Sequence, residues 1–590
     1  MDARANQPGI ERPIPSMESG VWGSDVVASL LRGLGLPFVA LTPGASFRGL
    51  HDSLVNHLGN EQPQMLLCLH EEHAIALAHG YAKVAGAPMA AILHSNVGLM
   101  HGTMAIFNAW CDRVPMLVLG ATGPVDAARR RPWIDWIHTS TDQAALVRHY
   151  VKWDDQPASI AATIEALLRA DRTARTAPCA PVYVCLDAAL QEDKLEAMPE
   201  LPDVRRFQPP APAAPDPAAV AQASKLLEGA RRPVMLAGRV SRQSRDWARR
   251  VALAERLGAR VITDLKQGAA FPTDHRLHVG KPASFLDSAS AGTLAEADVV
   301  LSLDWLDLGG ALKQAGGAAA ARIVHVSMDH QLHTGWGMEY QTLPPTDVHL
   351  ACAPDVGLHA LADALGAPAG REPDEAPTLP AVGCPADDAA LDVVALAGAL
   401  GAALDGERVC FVRLPLGWSG DCWHFRHPLD FLGGDGGAGI GSGPGMLIGA
   451  ALALRGSGRL PVAVLGDGDF LMSASAFWTA AHYGIPLLGV VANNRSFYND
   501  ELHQERVAKA RARPVDNKWI GQRIADPDID LAAIARAHGL TGIGPVGTVP
   551  ELVEAVRVGV ARVHAGGAAI VDARVRPGYA ASMSPGAARG

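Results

Sequence analysis

The sequence predicts an α/β protein built from three doubly wound parallel-sheet domains, and three observations carry that expectation. The chain has 590 residues, more than one hydrophobic core serves. Two stretches rich in proline and alanine, 209–217 and 367–388, carry no apolar period and read as extended linkers. Everywhere else, short and nearly continuous apolar runs alternate with helical patterns across turns marked by Gly or Pro, as expected of parallel strands covered on both faces. The boundaries that follow are 19–195, 213–366 and 389–577, with linkers at 196–212 and 367–388.

In the first domain, 65–69, 90–93 and 116–119 are strand candidates, and 74–84 has helical spacing. In the second, 234–236, 299–303 and 322–326 play the strand role. In the third, 462–465, 487–492 and 568–571 do so, and a helix is expected over 470–483. The ends, 1–18 and 578–590, are expected to be mobile.

Composition excludes several functions. Hydrophobic residues make up 48% and charged residues 19%, ordinary values for a globular protein, and the net charge of -10 is spread without a basic patch. Nucleic acid is therefore not an expected partner. The tripeptide Arg129-Arg130-Arg131 reads as solvated surface. Eight scattered cysteines form no C-x-x-C pair, so neither a disulfide framework nor a zinc site is indicated. The polar, proline-rich start has no signal-peptide core, and no run of about 18 apolar residues appears, so no membrane span is expected. A reducing cytoplasm fits these features.

The strongest motif lies in the third domain. Leu465-Gly466-Asp467-Gly468-Asp469 ends one apolar run, and Asn493-Asn494 ends the next. On a parallel sheet both strand ends fall on one edge, where ligands bind. Asp467 offers a carboxylate and Asn494 an amide oxygen, the hard donors that magnesium shares with a diphosphate. Gly466 and Gly468 allow backbone N–H groups to approach phosphate oxygens at a helix N-terminus. Upstream stands the glycine-rich stretch Gly439-Ile440-Gly441-Ser442-Gly443-Pro444. In the first domain, His70-Glu71-Glu72-His73 follows a strand, with Gly80-Tyr81-Ala82 further along. A carboxyl at the end of a buried strand requires a reason, because burial raises its pKa. The alternative reading of Glu71 or Glu72 is an acid that complements a helix macrodipole. His94-Ser95 follows the next strand, and a histidine there suits acid/base work; the alternative is a hydrogen-bonded structural histidine.

These motifs together resemble the thiamine-diphosphate (ThDP)-dependent decarboxylase and acetolactate-synthase family, over about residues 20–577. The resemblance implies that Asp467 and Asn494 bind magnesium by side chain and Ser496 by its backbone carbonyl. Ile440 is the candidate for the apolar residue that wedges between the two cofactor rings. Asp469 departs from the small polar residue of many members. Glu71 would hydrogen-bond the aminopyrimidine ring and so activate the cofactor. Because Glu71 and the diphosphate site lie in different domains, the resemblance implies that they meet between two chains of a homodimer or homotetramer.

His94 is similar to a proton-handling histidine of benzoylformate decarboxylases, where a serine follows the glycine of the first strand–turn segment. Here that segment is Thr42-Pro43-Gly44-Ala45-Ser46, so Ala45 takes the serine's place, and Gly44 is a candidate cofactor contact. No second active-site histidine is found at 304–311. The segment Asp304-Trp305-Leu306-Asp307-Leu308 also lacks the arginine that contacts FAD in acetolactate synthase, so FAD is not expected. The polar stretch 495–504 reads either as a polar or water-filled pocket wall or as a helix start capped by Asn499 or Asp500, with 506–523 as a lid. The implied reaction is non-oxidative decarboxylation of a 2-oxo acid, with or without carboligation. The rivals are an acyl-CoA-directed ThDP lyase and a regulatory chain that binds ThDP without catalysis. Retention of Glu71 argues against the second.

Overall fold

The computed structural model describes residues 11–14, 20–317, 321–332, 343–377, 379–380 and 391–578. The expected mobile ends fall outside them, apart from 11–14 and 578. Three parallel sheets account for the strand candidates. The first comprises β1 (Phe38–Leu41), β2 (Gln64–Leu67), β3 (Ala90–Ile92), β4 (Met116–Thr122), β5 (Asp154–Asp155) and β6 (Pro181–Asp187), in the order β2-β1-β3-β4-β6-β5. The second comprises β7 (Pro233–Ala237), β8 (Arg260–Ile262), β9 (Val299–Leu303), β10 (Arg322–Val326) and β11 (Val348–Leu350), in the order β8-β7-β9-β10-β11. The third comprises β12 (Val409–Arg413), β13 (Leu460–Gly466), β14 (Leu487–Asn493), β15 (Thr541–Val546) and β16 (Ala568–Arg574), in the order β12-β13-β14-β16-β15. Strands such as β4, β6 and β14 are buried at every position, which is why they read as continuous apolar runs rather than alternating ones.

Three local expectations are corrected. The linker 209–217 is extended only to Asp216. Pro217 opens the helix Pro217–Glu228, because Asp216 caps it by accepting from the Ala218 and Ala219 amides and proline fits a first helical turn. The segment 470–483 is not one helix. It divides into Asp467–Met472 and Ala476–His482, broken where Ser473 and Ser475 favour a turn over helical bonding. The helix Tyr498–Ala510 starts behind Phe497, and neither Asn499 nor Asp500 caps it.

Two helices join the first and third domains. Helix α1 (Glu71–Ala85) crosses α2 (Gly443–Ala453), and glycines let the backbones touch. A Cβ on Gly80 would stand 2.1 Å from the Met446 carbonyl oxygen, and one on Gly449 would stand 1.8 Å from that of Leu77. One apolar core consequently runs through both domains, with Ile75 and Ala78 of α1 packed among Met446, Leu447 and Ala450 of α2. Buried Lys83 bonds Asp112 and reaches the Gly434 carbonyl across the junction. At the end of β2, Thr479 donates to the Leu67 carbonyl at 2.7 Å and the Leu67 amide donates to the Tyr483 hydroxyl at 2.9 Å. The strand that delivers Glu71 is thereby anchored to the third domain.

Candidate active site

On the third sheet, Gly466 pairs in register with Ala492, so Asp467 and Asn494 emerge side by side. The two asparagines divide their tasks. Asn493 donates to Asp572 at 2.8 Å and locks β14 to β16, whereas Asn494 turns into a cavity of about 630 Å³. Ile440, Gly466, Asp467, Gly468, Asp469, Asn494 and Ser496 all line this cavity, so the structure brings together the third-domain candidates for cofactor and metal contact. The Ser496 amide donates to Asp467 Oδ2 at 3.1 Å and to Asn494 Oδ1 at 2.9 Å, clustering three oxygen-bearing residues. Burial pushes the Asp467 carboxyl up to about 6. A buried carboxylate beside an amide oxygen, without a cationic partner among the described residues, has the donor chemistry of a divalent-cation site. A Cβ on Gly466 would meet nothing within 4 Å, which leaves its backbone open to a large anion. The residues fit a magnesium diphosphate.

Asp469 faces the glycine-rich loop. Its Oδ1 accepts from the Gly441 amide at 2.6 Å and the Gly443 amide at 3.3 Å, and its Oδ2 lies 3.4 Å from Arg413. Arg413 also pairs with Asp435 at 2.6 Å, and Asp435 accepts from the Ser442 hydroxyl at 3.1 Å. The carboxylates of Asp435 and Asp469 hold Arg413 charged, raising its pKa although the side chain is largely buried. This clamp fixes the loop that carries Ile440, whose side chain remains partly exposed to the cavity. Arg413, Asp435 and the pairing to Asp469 have no signal in the motifs, because they join three separate segments.

The first-domain residues gather elsewhere, at the carboxyl edge of β1, β2 and β3. Glu71, His94 and Gly44 are not among the residues lining the 630 Å³ cavity. The resemblance has Glu71 and the diphosphate site meet between two chains. Within one chain the two domains also pack through α1 and α2, and that packing leaves Glu71 outside the cavity of Asp467. Glu72 stands near enough to Asp469 for its pKa to be raised, after burial, by that second charge. Gly44 does not face the cavity. It packs on His94, where a Cβ would fall 2.3 Å from the His94 Cβ.

His94 lies where the strand order of the first sheet reverses, between β1 and β3. Ser46, displaced by one position from the motif serine, nevertheless reaches it. Ser46 Oγ accepts from the Ser95 amide at 3.1 Å and lies 2.9 Å from His94 Nδ1, which also accepts from the Ser46 amide at 3.4 Å; a neutral ring with Nδ1 accepting carries its proton on Nε2. The His138 ring stands edge-on at 4.6 Å. Burial and then His138 lower the His94 pKa, against the opposing pull of Glu71. Sequence reasoning missed His138 because it arrives on a loop far along the chain, tied down by Asn96 donating to the Ile137 carbonyl at 3.3 Å.

In the central domain the corresponding strand ends, of β7 and β9, are tied together by ion pairs, and a cavity of about 210 Å³ opens beside them, lined by Lys266, Trp305, Leu306 and Asp307. Gly238 abuts the Asp304 backbone, where a Cβ would stand 2.3 Å from its carbonyl oxygen. Arg239 pairs with Asp304 at 3.0 Å and with Asp329 at 2.9 Å, and Arg113 of the first domain joins Asp329 at 2.7 Å.

Comparison with known proteins agrees with this geometry. Models of the thiamine pyrophosphate enzyme N-terminal binding domain, central domain and C-terminal binding domain match residues 21–146, 220–334 and 415–573. Benzoylformate decarboxylase of Pseudomonas aeruginosa is 25% identical over 82% of this chain and 87% of its own length. The acetolactate synthase large subunit of Corynebacterium glutamicum is 26% identical over 48% of this chain and 44% of its own. The solved structure of a ThDP-dependent 4-hydroxybenzoylformate decarboxylase from Rhodococcus jostii RHA1 covers 95% of this chain and 100% of its own, with a TM-score of 0.73 and 22% identity, a likeness of fold.

Proposed function

The chain belongs to the thiamine-diphosphate-dependent decarboxylase and acetolactate-synthase family, and from that premise we propose a magnesium-requiring enzyme that decarboxylates a 2-oxo acid without oxidation, with or without passing the remaining acyl unit to a second carbonyl. The observation that carries this reading is the buried Asp467, which has no ion-pair partner among the described residues, beside Asn494 at the mouth of two adjacent strands. Asp467 and Asn494 would hold magnesium by side chain and Ser496 by its carbonyl, while Gly466 and Gly468 present backbone to the diphosphate. ThDP, when bound, supplies a carbon nucleophile that accepts the electrons released with carbon dioxide.

The protein's own groups do the rest. Ile440 gives the ring system an apolar wall. Glu71 would hold or yield a proton at its carboxyl for the aminopyrimidine ring. His94, kept neutral by burial and His138, presents its Nε2–H as a donor toward the reacting carbonyl and carboxylate. The Ser46–His94–His138 arrangement favours the decarboxylase outcome over carboligation. Val97, Met100 and Met104 expose apolar surface along one helix, which supports a homodimer or homotetramer. Incubation with pyruvate, benzoylformate and branched 2-oxo acids, with products identified, tests the proposal. Aldehyde from one acid selects a decarboxylase and a hydroxyketo product a synthase; no turnover on any 2-oxo acid, together with no ThDP binding, overturns the reading.

A further inference from the structure

We propose that Asn108 is a positioning residue for the cofactor: from the first domain it clasps the backbone of Gly439 and so sets where Ile440 stands in the cavity. The inference rests on the role proposed for Ile440 above and adds a residue that no motif marks.

Asn108 lies on the helix Ser95–Cys111 and is fully buried within the single chain, so its surroundings do not depend on what a second copy covers. Its side-chain amide meets both polar backbone groups of one residue. The Gly439 amide donates to Asn108 Oδ1 at 3.4 Å, and Asn108 Nδ2 donates to the Gly439 carbonyl at 3.4 Å. A primary amide carries an acceptor and a donor side by side, so it can pair with a backbone much as a neighbouring strand would, whereas an ionised carboxylate can only accept.

Both bonds are long, and fit makes the clasp specific. A Cβ on Gly437 would stand 2.6 Å from Asn108 Oδ1, and one on Gly439 would stand 2.2 Å from Met104 Cε. The loop can therefore lie this close to the helix only with glycine at both positions. Between them Ala438 has a φ of 56°, a left-handed conformation that strains a residue with a Cβ. Such a conformation persists where the surroundings hold it, and the clasp holds the very next residue. Ala438 and Ile440 both line the cavity.

On the other side of Ile440, Asp469 accepts from the Gly441 amide at 2.6 Å. The backbone flanking Ile440 is thus fixed on one side by the first domain and on the other by the third. The Ile440 side chain itself is 38% exposed, so the backbone, more than packing, places it. Lys83 holds the loop further upstream, at the Gly434 carbonyl, and leaves 437–439 to Asn108. An asparagine that only fastened two domains would cost stability when lost but would not act through Ile440.

The first test uses the full-length chain without cofactor. Asn108→Ala should speed amide hydrogen exchange at Gly439 by about tenfold and leave Gly443, held by Asp469, within about twofold. Wild-type protection at Gly439, or an equal loss at both glycines, overturns the clasp. The second test loads ThDP and magnesium. Asn108→Ala should bind ThDP within about threefold of wild type, because metal and diphosphate are held elsewhere, yet slow exchange of the cofactor's C2 proton by about tenfold. Ile440→Ala should slow it at least as much, and the double variant no further than Ile440→Ala alone. Wild-type exchange in Asn108→Ala, or additive slowing in the double variant, overturns the positioning role. If Ile440→Ala itself exchanges at the wild-type rate, the Ile440 assignment falls instead. Should Asn108→Ala not fold, Asn108→Asp carries both tests, since it keeps the volume and the acceptor but, when ionised, gives the Gly439 carbonyl no donor.

Discussion

In the function proposed, the third domain and the first would meet the same ligand with opposite materials. The edge of β13 and β14 offers oxygens and backbone amides, buried and rigidly cross-braced by Arg413, Asp435 and Asp469. The edge of β1, β2 and β3 offers imidazoles: His70, His94, His101 and His138, stacked or hydrogen-bonded. Oxygen donors in a fixed frame suit a hard cation and a diphosphate, whose charges do not change through a reaction cycle. Imidazoles suit groups that must gain and lose protons near neutrality. One edge is built to hold and the other to exchange.

That contrast can be broken most decisively at Asp467. Asp467→Ala is expected to abolish magnesium-dependent ThDP binding by calorimetry; unchanged affinity would remove the third-domain edge from its role. Glu71→Gln is expected to leave cofactor affinity within a few-fold and to slow C2 proton exchange by about 10²–10⁴. A matching loss of binding would show that the first-domain edge also holds. The clamp sits between the two in effect. Asp469→Asn should speed amide hydrogen exchange at Gly441 and Gly443 by about tenfold and weaken ThDP binding less than Asp467→Ala does, because it loosens the Ile440 loop without removing a metal ligand. Protection equal to wild type would mean that the loop is held by its own turns.

A smaller effect sharpens the contrast in the cofactor-free protein. The folded pKa of Asp467 lies above its ordinary value of 3.8. The folded state therefore binds the extra proton between about pH 4 and 6, and this group's contribution to stability falls as pH rises through that window. Asp467→Asn removes the charge and should raise the melting midpoint of the apo protein at pH 7 by a few degrees, with no gain at pH 4. Saturating magnesium and ThDP should reverse the order and make wild type the more stable.

What could be read from the sequence follows from how local the signal is. Every strand candidate lies within a strand or overlaps one, because a buried parallel strand is a contiguous apolar run. Asp467 and Asn494 were legible because each ends such a run, and adjacency on the sheet does the rest. Ser46 was discounted for standing one residue late, yet the turn after β1 carries its hydroxyl to His94. His138, Asn108 and Arg413 were invisible for a common reason. Each acts on a residue from another segment, through contacts that tertiary packing alone creates. The break at Ser473 and the true start at Pro217 show the limit of periodicity, which marks apolar faces well and helix ends poorly.

The junction of α1 and α2 also has a consequence in time. Lys83 and its partner carbonyl at Gly434 are 351 positions apart. A ribosome adding about 5–20 residues per second needs on the order of 20–70 s to cover that distance. Through this interval the face of α1 bearing Ile75 and Ala78 has left the ribosome without the helix that will cover it. Every newborn copy therefore passes through a stage with a sticky, unfinished flank, and the yield of active protein depends on what shields that flank until the last third of the chain arrives.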